Sequence, residues 1–180
     1  LATGCREKYN GNINVPMHKY AGIYTVGSAH RFINFQGYIP GKNVVILGSS
    51  DIALIVARRL IIEGAKVKAV VEKQPYLHSQ RKNIIKSIED FNLPLRLGYS
   101  ITEVIGDERV KGVVISKIDE NGMPLAGTEE RISCDCLLLS VGWMPESDLP
   151  HKAKIKISSS TGGSLVDGLY ETSQRGIFVC

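Results

Sequence analysis

The sequence predicts an α/β protein: a parallel sheet with helices, to which an antiparallel meander is added. Three observations carry that expectation. Val44–Leu47 is a continuous apolar run rich in β-branched residues, the form of a strand buried on both faces, and Val67–Val71 reads as a second buried strand. Between them, Ile52, Ile55, Val56, Arg59 and Leu60 recur at helical spacing over a stretch from about Asp51 to Glu63, and Gly64 stands where a helix stops. Beyond residue 100, short strand-like segments alternate with turn residues instead of helices.

The elements follow in order. Residues 5 to 27 read as loop, with Asn, Gly and Pro scattered among short apolar stretches. Ser28 is the expected N-cap of a helix running to about Gln36, with Gly37 as its stop. Pro40-Gly41-Lys42 is a turn into the first buried strand, Val44–Leu47. Gly48-Ser49-Ser50 turns the chain into the helix from Asp51. Strand Val67–Val71 then ends in Glu72. Residues 79 to 91 form a second helical pattern carried by Ile84, Ile85, Ile88 and Phe91, and Leu95–Leu97 is a third short strand. Segments 102–106, 110–118 and 129–133 are the expected meander, with Asn121-Gly122 as a hairpin signal. A last apolar strand spans Leu137–Val141 and ends at Gly142, with Trp143 as an expected packing residue.

Composition bounds the function. The chain has 180 residues, 43% hydrophobic and 22% charged, which suits a globular domain with a sizeable core and excludes a disordered or fibrous chain. The net charge of +4 is dispersed along the sequence, not gathered into a basic stripe with aromatics, so nucleic acid is not an expected partner. No apolar run reaches bilayer length and no signal-peptide zones open the chain, so a cytoplasmic protein is expected. Cys5, Cys134, Cys136 and Cys180 form no CxxC pair. Cys134 and Cys136 stand two apart on an expected strand, which puts them on one face of the pleat as buried reduced thiols. His18, His30, His78 and His151 have no metal-ligand spacing and read as surface or loop residues. Neither a nucleophile elbow nor a Ser-His-Asp or Cys-His arrangement is apparent, so no catalytic residue and no metal site is assigned.

One constellation carries chemistry: strand, glycine turn, helix, strand, acid. Gly48-Ser49-Ser50-Asp51-Ile52-Ala53 approximates the dinucleotide fingerprint G-x-G-x-x-G/A. Gly48 supplies the tight turn, and Ala53 is the small residue that lets helix and strand approach. The N–H groups at the start of the helix face a pyrophosphate. Ser50 departs from the fingerprint: its Cβ crowds the approach, while its hydroxyl is able to donate to a phosphate. Glu72 follows Gly48 by 24 positions (72 minus 48), near the spacing of about 20 for an acid that accepts from the adenosine ribose. A carboxylate there disfavours the 2′-phosphate of NADP, and neighbouring Lys73 weakens that discrimination. Arg81 and Lys82 read as a solvated helix start. The bland alternative is a Rossmann-like turn that holds no ligand.

These residues, with those at the ends of the chain, resemble the two-dinucleotide-domain flavoproteins of the pyridine nucleotide-disulfide oxidoreductase superfamily. Leu1-Ala2-Thr3-Gly4 is similar to the family's A-T-G handover from flavin to NAD domain, and reads as the end of a buried strand. Val141-Gly142-Trp143-Met144-Pro145 is similar to its G-x-x-P return crossing. Gly176–Cys180 is similar to the buried strand before its final flavin motif, which suggests an excised segment whose cut strand edges favour association into homo- or hetero-oligomers. Pro40-Gly41-Lys42 with Val44 to Arg59 is most similar to the flavoprotein subunits of amino-acid and opine dehydrogenases and sarcosine-oxidase-like enzymes. The resemblance implies an NAD-binding domain over 38–145, flanked by flavin-domain pieces 1–37 and 146–180. It also implies cofactor contacts at Gly48, Ser49, Ser50, Asp51, Ile52, Glu72, Lys73 and Gly142, and an inactive fragment. FAD would be held only in the full-length parent, by its missing flavin domain.

Overall fold

A computed structural model describes residues 1–9 and 19–180. The expected loop over residues 10–18, and His18 with it, lie outside the described residues. The chain divides into two compact units, Tyr9–Val141 and a smaller one formed by Leu1–Lys8 with Gly142–Cys180.

In the larger unit, five strands form a sheet: β2 (Ile23–Thr25), β3 (Asn43–Leu47), β4 (Lys66–Glu72), β5 (Leu95–Leu97) and β9 (Cys136–Leu139). Their order is β2-β9-β3-β4-β5, every neighbouring pair parallel. Side chains alternate across it with period two. Val44, Ile46, Val70, Cys136 and Leu138 face one core, which holds helices α1 (Val26–Gln36) and α2 (Asp51–Ile62). Val45, Leu47, Ala69, Val71, Leu137 and Leu139 face a second core. That core is covered by the antiparallel sheet β6 (Tyr99–Gly106), β7 (Val110–Lys117) and β8 (Glu130–Ser133). Burial on both faces explains why Val44–Leu47 and Leu137–Leu139 read as unbroken apolar runs, while Lys66 and Lys68 of β4 stay exposed. The larger unit is therefore a Rossmann-like α/β fold, its helices, parallel sheet and meander stacked as three layers.

Several expectations need correction. The cap of α1 is Thr25, whose hydroxyl accepts from Ser28 N–H at 3.3 Å; the expected cap, Ser28, lies inside the helix. Gly37 ends α1 with φ of 70° as expected. The second helical pattern starts later than residue 79, as α3 (Arg81–Ile84), and continues as a π-helical turn, Ile85–Glu89; Ile84, Ile88 and Phe91 pack on the first core. The region read as loop contains β1 (Cys5–Glu7) and β2, each of three residues and too short to display a period. Cys134 and Cys136 do not share a face. A bend at Asp135 separates β8 from β9, so Cys134 enters the second core and Cys136 the first. Burial, reinforced by the Asp135 charge, pushes both thiols up to about 12.

In the smaller unit, β1 pairs antiparallel with β10 (Trp143–Pro145), and a short helix α4 (Asp148–Lys152) follows. Leu1–Gly4 forms no strand, and Leu1 is exposed. Gly176–Cys180 is not a buried strand either: Phe178 makes a single bridge to Glu171 and is exposed. Apolar composition gives a strand only where a ladder partner exists, and here the two segments meet through Cys180 N–H to Leu1 O at 3.2 Å and the amino terminus to Phe178 O. Trp143 is 55% exposed instead of packed, because the two-stranded ribbon that carries it leaves its side chain uncovered. No helix among the described residues is long and apolar enough to cross a membrane.

Candidate functional site

The glycine turn sits between β3 and α2. Gly48 has φ of 98°, and a Cβ built on it would stand 2.0 Å from the carbonyl oxygen of Ser140. The turn is fixed by Gly48 N–H to Val71 O and by Ser140 N–H to Leu47 O, each at 2.7 Å. Ser50 has φ of −62°, an ordinary conformation for a residue with a Cβ, and it is the N-cap of α2. Its hydroxyl accepts from Ala53 N–H at 3.3 Å and lies 2.6 Å from the Ser140 hydroxyl. The expected use of that hydroxyl is thus shared with a capping role. Asp51 and Ile52 open the helix, where first-turn N–H groups have no intrahelical acceptor and the dipole favours an anion.

Glu72 ends β4 and is buried, at 6% exposure. Its Oε2 accepts from Ser49 N–H at 3.0 Å and from the Ser49 hydroxyl at 2.6 Å, and its Oε1 accepts from Gln74 N–H at 2.9 Å. A carboxylate offers about four acceptor positions, so about one remains for a ligand hydroxyl. Glu72 thus lies against the turn, and the sequence spacing did not reveal that Ser49, at 1% exposure, spends its donors on it. Lys73 follows, half-buried.

The loop after Glu72 folds back onto the same turn. His78 N–H donates to the Ser49 hydroxyl at 2.9 Å, and the Ser79 hydroxyl donates to Ser49 O at 2.6 Å. Gln80 N–H and the Asn83 amide donate to Asp51 Oδ1 at 2.9 and 2.6 Å. Ser79, Gln80 and Asn83 were missed in the sequence, since nothing in their spacing marks them. The hydrogen bond from Asn83, then that from Gln80, holds the Asp51 carboxyl below its ordinary value. The contribution of this latch is therefore fully present above the unfolded carboxyl range and is lost only as pH falls through the depressed folded value. An NMR pH titration should show the Asn83 side-chain amide signals unmoved down to the ordinary carboxylate range and shifting below it. In Asp51→Asn that step should disappear; its survival would place the titration elsewhere.

Gly142 belongs to the smaller unit, with φ of 107° and Lys8 N–H bonded to its carbonyl at 2.8 Å. His30 lies half-buried on α1, while His78 and His151 are exposed. Among the described residues, no three His, Cys, Asp or Glu side chains gather as a metal site would need.

A parallel sheet with a glycine turn leading into a capped helix, and an acid at the end of the next strand, defines the Rossmann-type class of α/β protein. The chain belongs to the pyridine nucleotide-disulphide oxidoreductase family, whose pattern it matches over residues 1–180. Hydrogen cyanide synthase subunit HcnB of Pseudomonas protegens is 22% identical over 92% of this chain and 38% of its own length. Among solved structures, thioredoxin reductase of T. acidophilum is similar with a TM-score of 0.76 and 22% identity, over 99% of this chain and 54% of that one. The Lactococcus lactis thioredoxin reductase gives 0.76 at 16% identity, with 99% and 55% covered. A NAD-dependent persulfide reductase from A. fulgidus gives 0.69 at 22% identity, with 99% and 31% covered. The chain thus spans 38% of the length of its curated relative and about half of the thioredoxin reductases.

Proposed function

We propose that this chain is the NAD(H)-binding part of a larger flavin-dependent oxidoreductase. The observation that carries the reading is the tie between Glu72 and Ser49. It holds an acid at the end of β4 against the first residues of the glycine turn, beside the N–H groups that open α2. A nicotinamide dinucleotide bound there supplies hydride exchange with a flavin held by the rest of the larger protein. The residues of this chain bind and orient. Asp51 and Ile52 N–H groups receive the pyrophosphate. Glu72 accepts one adenosine ribose hydroxyl with its remaining acceptor position. Ser49 acts by holding Glu72, and the Glu72 charge favours NAD over NADP.

On this reading residues 38–145 are the nucleotide domain, with Gly142 at its return crossing, and 1–37 and 146–180 belong with the flavin domain. Trp143, Met144, Leu165, Leu169, Tyr170 and Phe178 are all exposed in the smaller unit, which suits a surface covered by the remainder of a longer protein. Buried unpaired thiols at Cys134 and Cys136 suit a reducing compartment such as the cytoplasm.

One observation favours a second reading, a Rossmann module that serves as scaffold or subunit interface. The hydroxyls of Ser49 and Ser50 and most of the Glu72 carboxylate are already satisfied within the protein. Calorimetric titration with NADH and, separately, NADPH decides between the two. Saturable NADH binding with much weaker NADPH binding is expected. A folded sample that binds neither supports the scaffold.

A further inference from the structure

The loop between Glu72 and α3 holds two rings outside the contacts assigned to the dinucleotide. Tyr76 and His78 lie with ring centroids 5.1 Å apart, tilted by 56°, and Tyr76 is 56% exposed. An exposed tyrosine on a mobile loop would mean little. This loop is pinned at both ends: Gln74 N–H bonds Glu72, Gly98 N–H bonds Gln74 O at 3.2 Å, and His78 N–H, the Ser79 hydroxyl and Gln80 N–H bond the turn and Asp51. The backbone of His78 is one hydroxyl away from the Glu72 carboxylate, since Ser49 Oγ joins them.

We propose that Tyr76, braced by His78, is the stacking platform for the adenine ring of the dinucleotide. The inference rests on the NAD(H)-binding reading and follows its order along the ligand. The pyrophosphate lies at the start of α2 and the ribose at Glu72. The base comes next, over the segment that follows Glu72. A purine presents a flat π-face that stacks favourably on an aromatic ring, and Tyr76 offers an exposed one on a pinned loop. His78 orients the tyrosine from the side, while its own backbone fixes the loop.

The test uses the full chain and two probes, NADH and ADP-ribose, which share the adenosine end. Tyr76→Ala should weaken both by about the same factor, on the order of tenfold. Tyr76→Phe should restore both affinities, and His78→Ala should produce a smaller loss. Thermal unfolding should be unchanged in Tyr76→Ala, because the side chain is exposed. Unchanged affinity in Tyr76→Ala, with NADH still bound, overturns the platform and leaves the functional reading standing. A loss seen with NADH but not with ADP-ribose overturns it too, since the energy would then lie at the nicotinamide end. Failure of the unaltered chain to bind either probe overturns both.

Discussion

Replacing Gly48 with alanine should destabilise the larger unit by about 3 kcal/mol or more, by chemical denaturation. Two costs add. The residue has φ of 98°, where a side chain is strained by roughly 1–2 kcal/mol. The added Cβ would also stand 2.0 Å from Ser140 O and 2.8 Å from its carbonyl carbon. Both atoms are backbone and belong to a residue whose N–H, bonded to Leu47 O, joins the ends of β3 and β9. They cannot swing aside as a flexible side chain would. Gly64 provides the control, since its φ of 89° is similar but nothing lies within 4 Å of the position a Cβ would take. Gly64→Ala should cost about 1 kcal/mol, the strain alone. If the two substitutions cost the same, the close approach of β9 to the turn is not what requires glycine at position 48.

That contrast shows what the sequence exposes and what it hides. Gly48 and Gly64 are both legible as glycines at element boundaries, because helix periodicity and apolar runs place those boundaries well. β3, α2, β4 and the meander were legible for the same reason: each is long enough to show a period, or is buried on both faces. β2 was not, because three residues show no period, and its place at the sheet edge depends on pairing with β9, more than a hundred positions away. Cys134 and Cys136 misled because one bend at Asp135 changes which core a side chain enters. At the site, Glu72 could be found by its distance in sequence from Gly48. The inward turn of Ser49, the pairing of Ser50 with Ser140 and the latch from Asp51 to Gln80 and Asn83 could not. Each joins side chains whose separation follows no rule of local structure.

Replacing Glu72 with alanine should cost both stability and ligand. Three bonds end on this carboxylate, and two of their donors belong to Ser49, which is 1% exposed. The Ser49 hydroxyl can turn to another acceptor, but its N–H is fixed by the turn. A buried donor left without an acceptor costs about 1–3 kcal/mol, and bonds to a charged acceptor stand at the upper end. A loss of about 3 kcal/mol in unfolding free energy is therefore expected. Glu72→Gln keeps one oxygen for Ser49 and turns an NH2 group toward Gln74 N–H, which lies near solvent and can take water instead; it should lose about half as much. The ligand effects should run differently. Both variants remove the charge that opposes a 2′-phosphate, so both should narrow the gap between NADH and NADPH affinities, with Lys73 then free to favour the phosphate. If Glu72→Gln stays folded and its NADH to NADPH preference matches that of the unaltered chain, Glu72 is a structural brace for the glycine turn and does not meet the ribose.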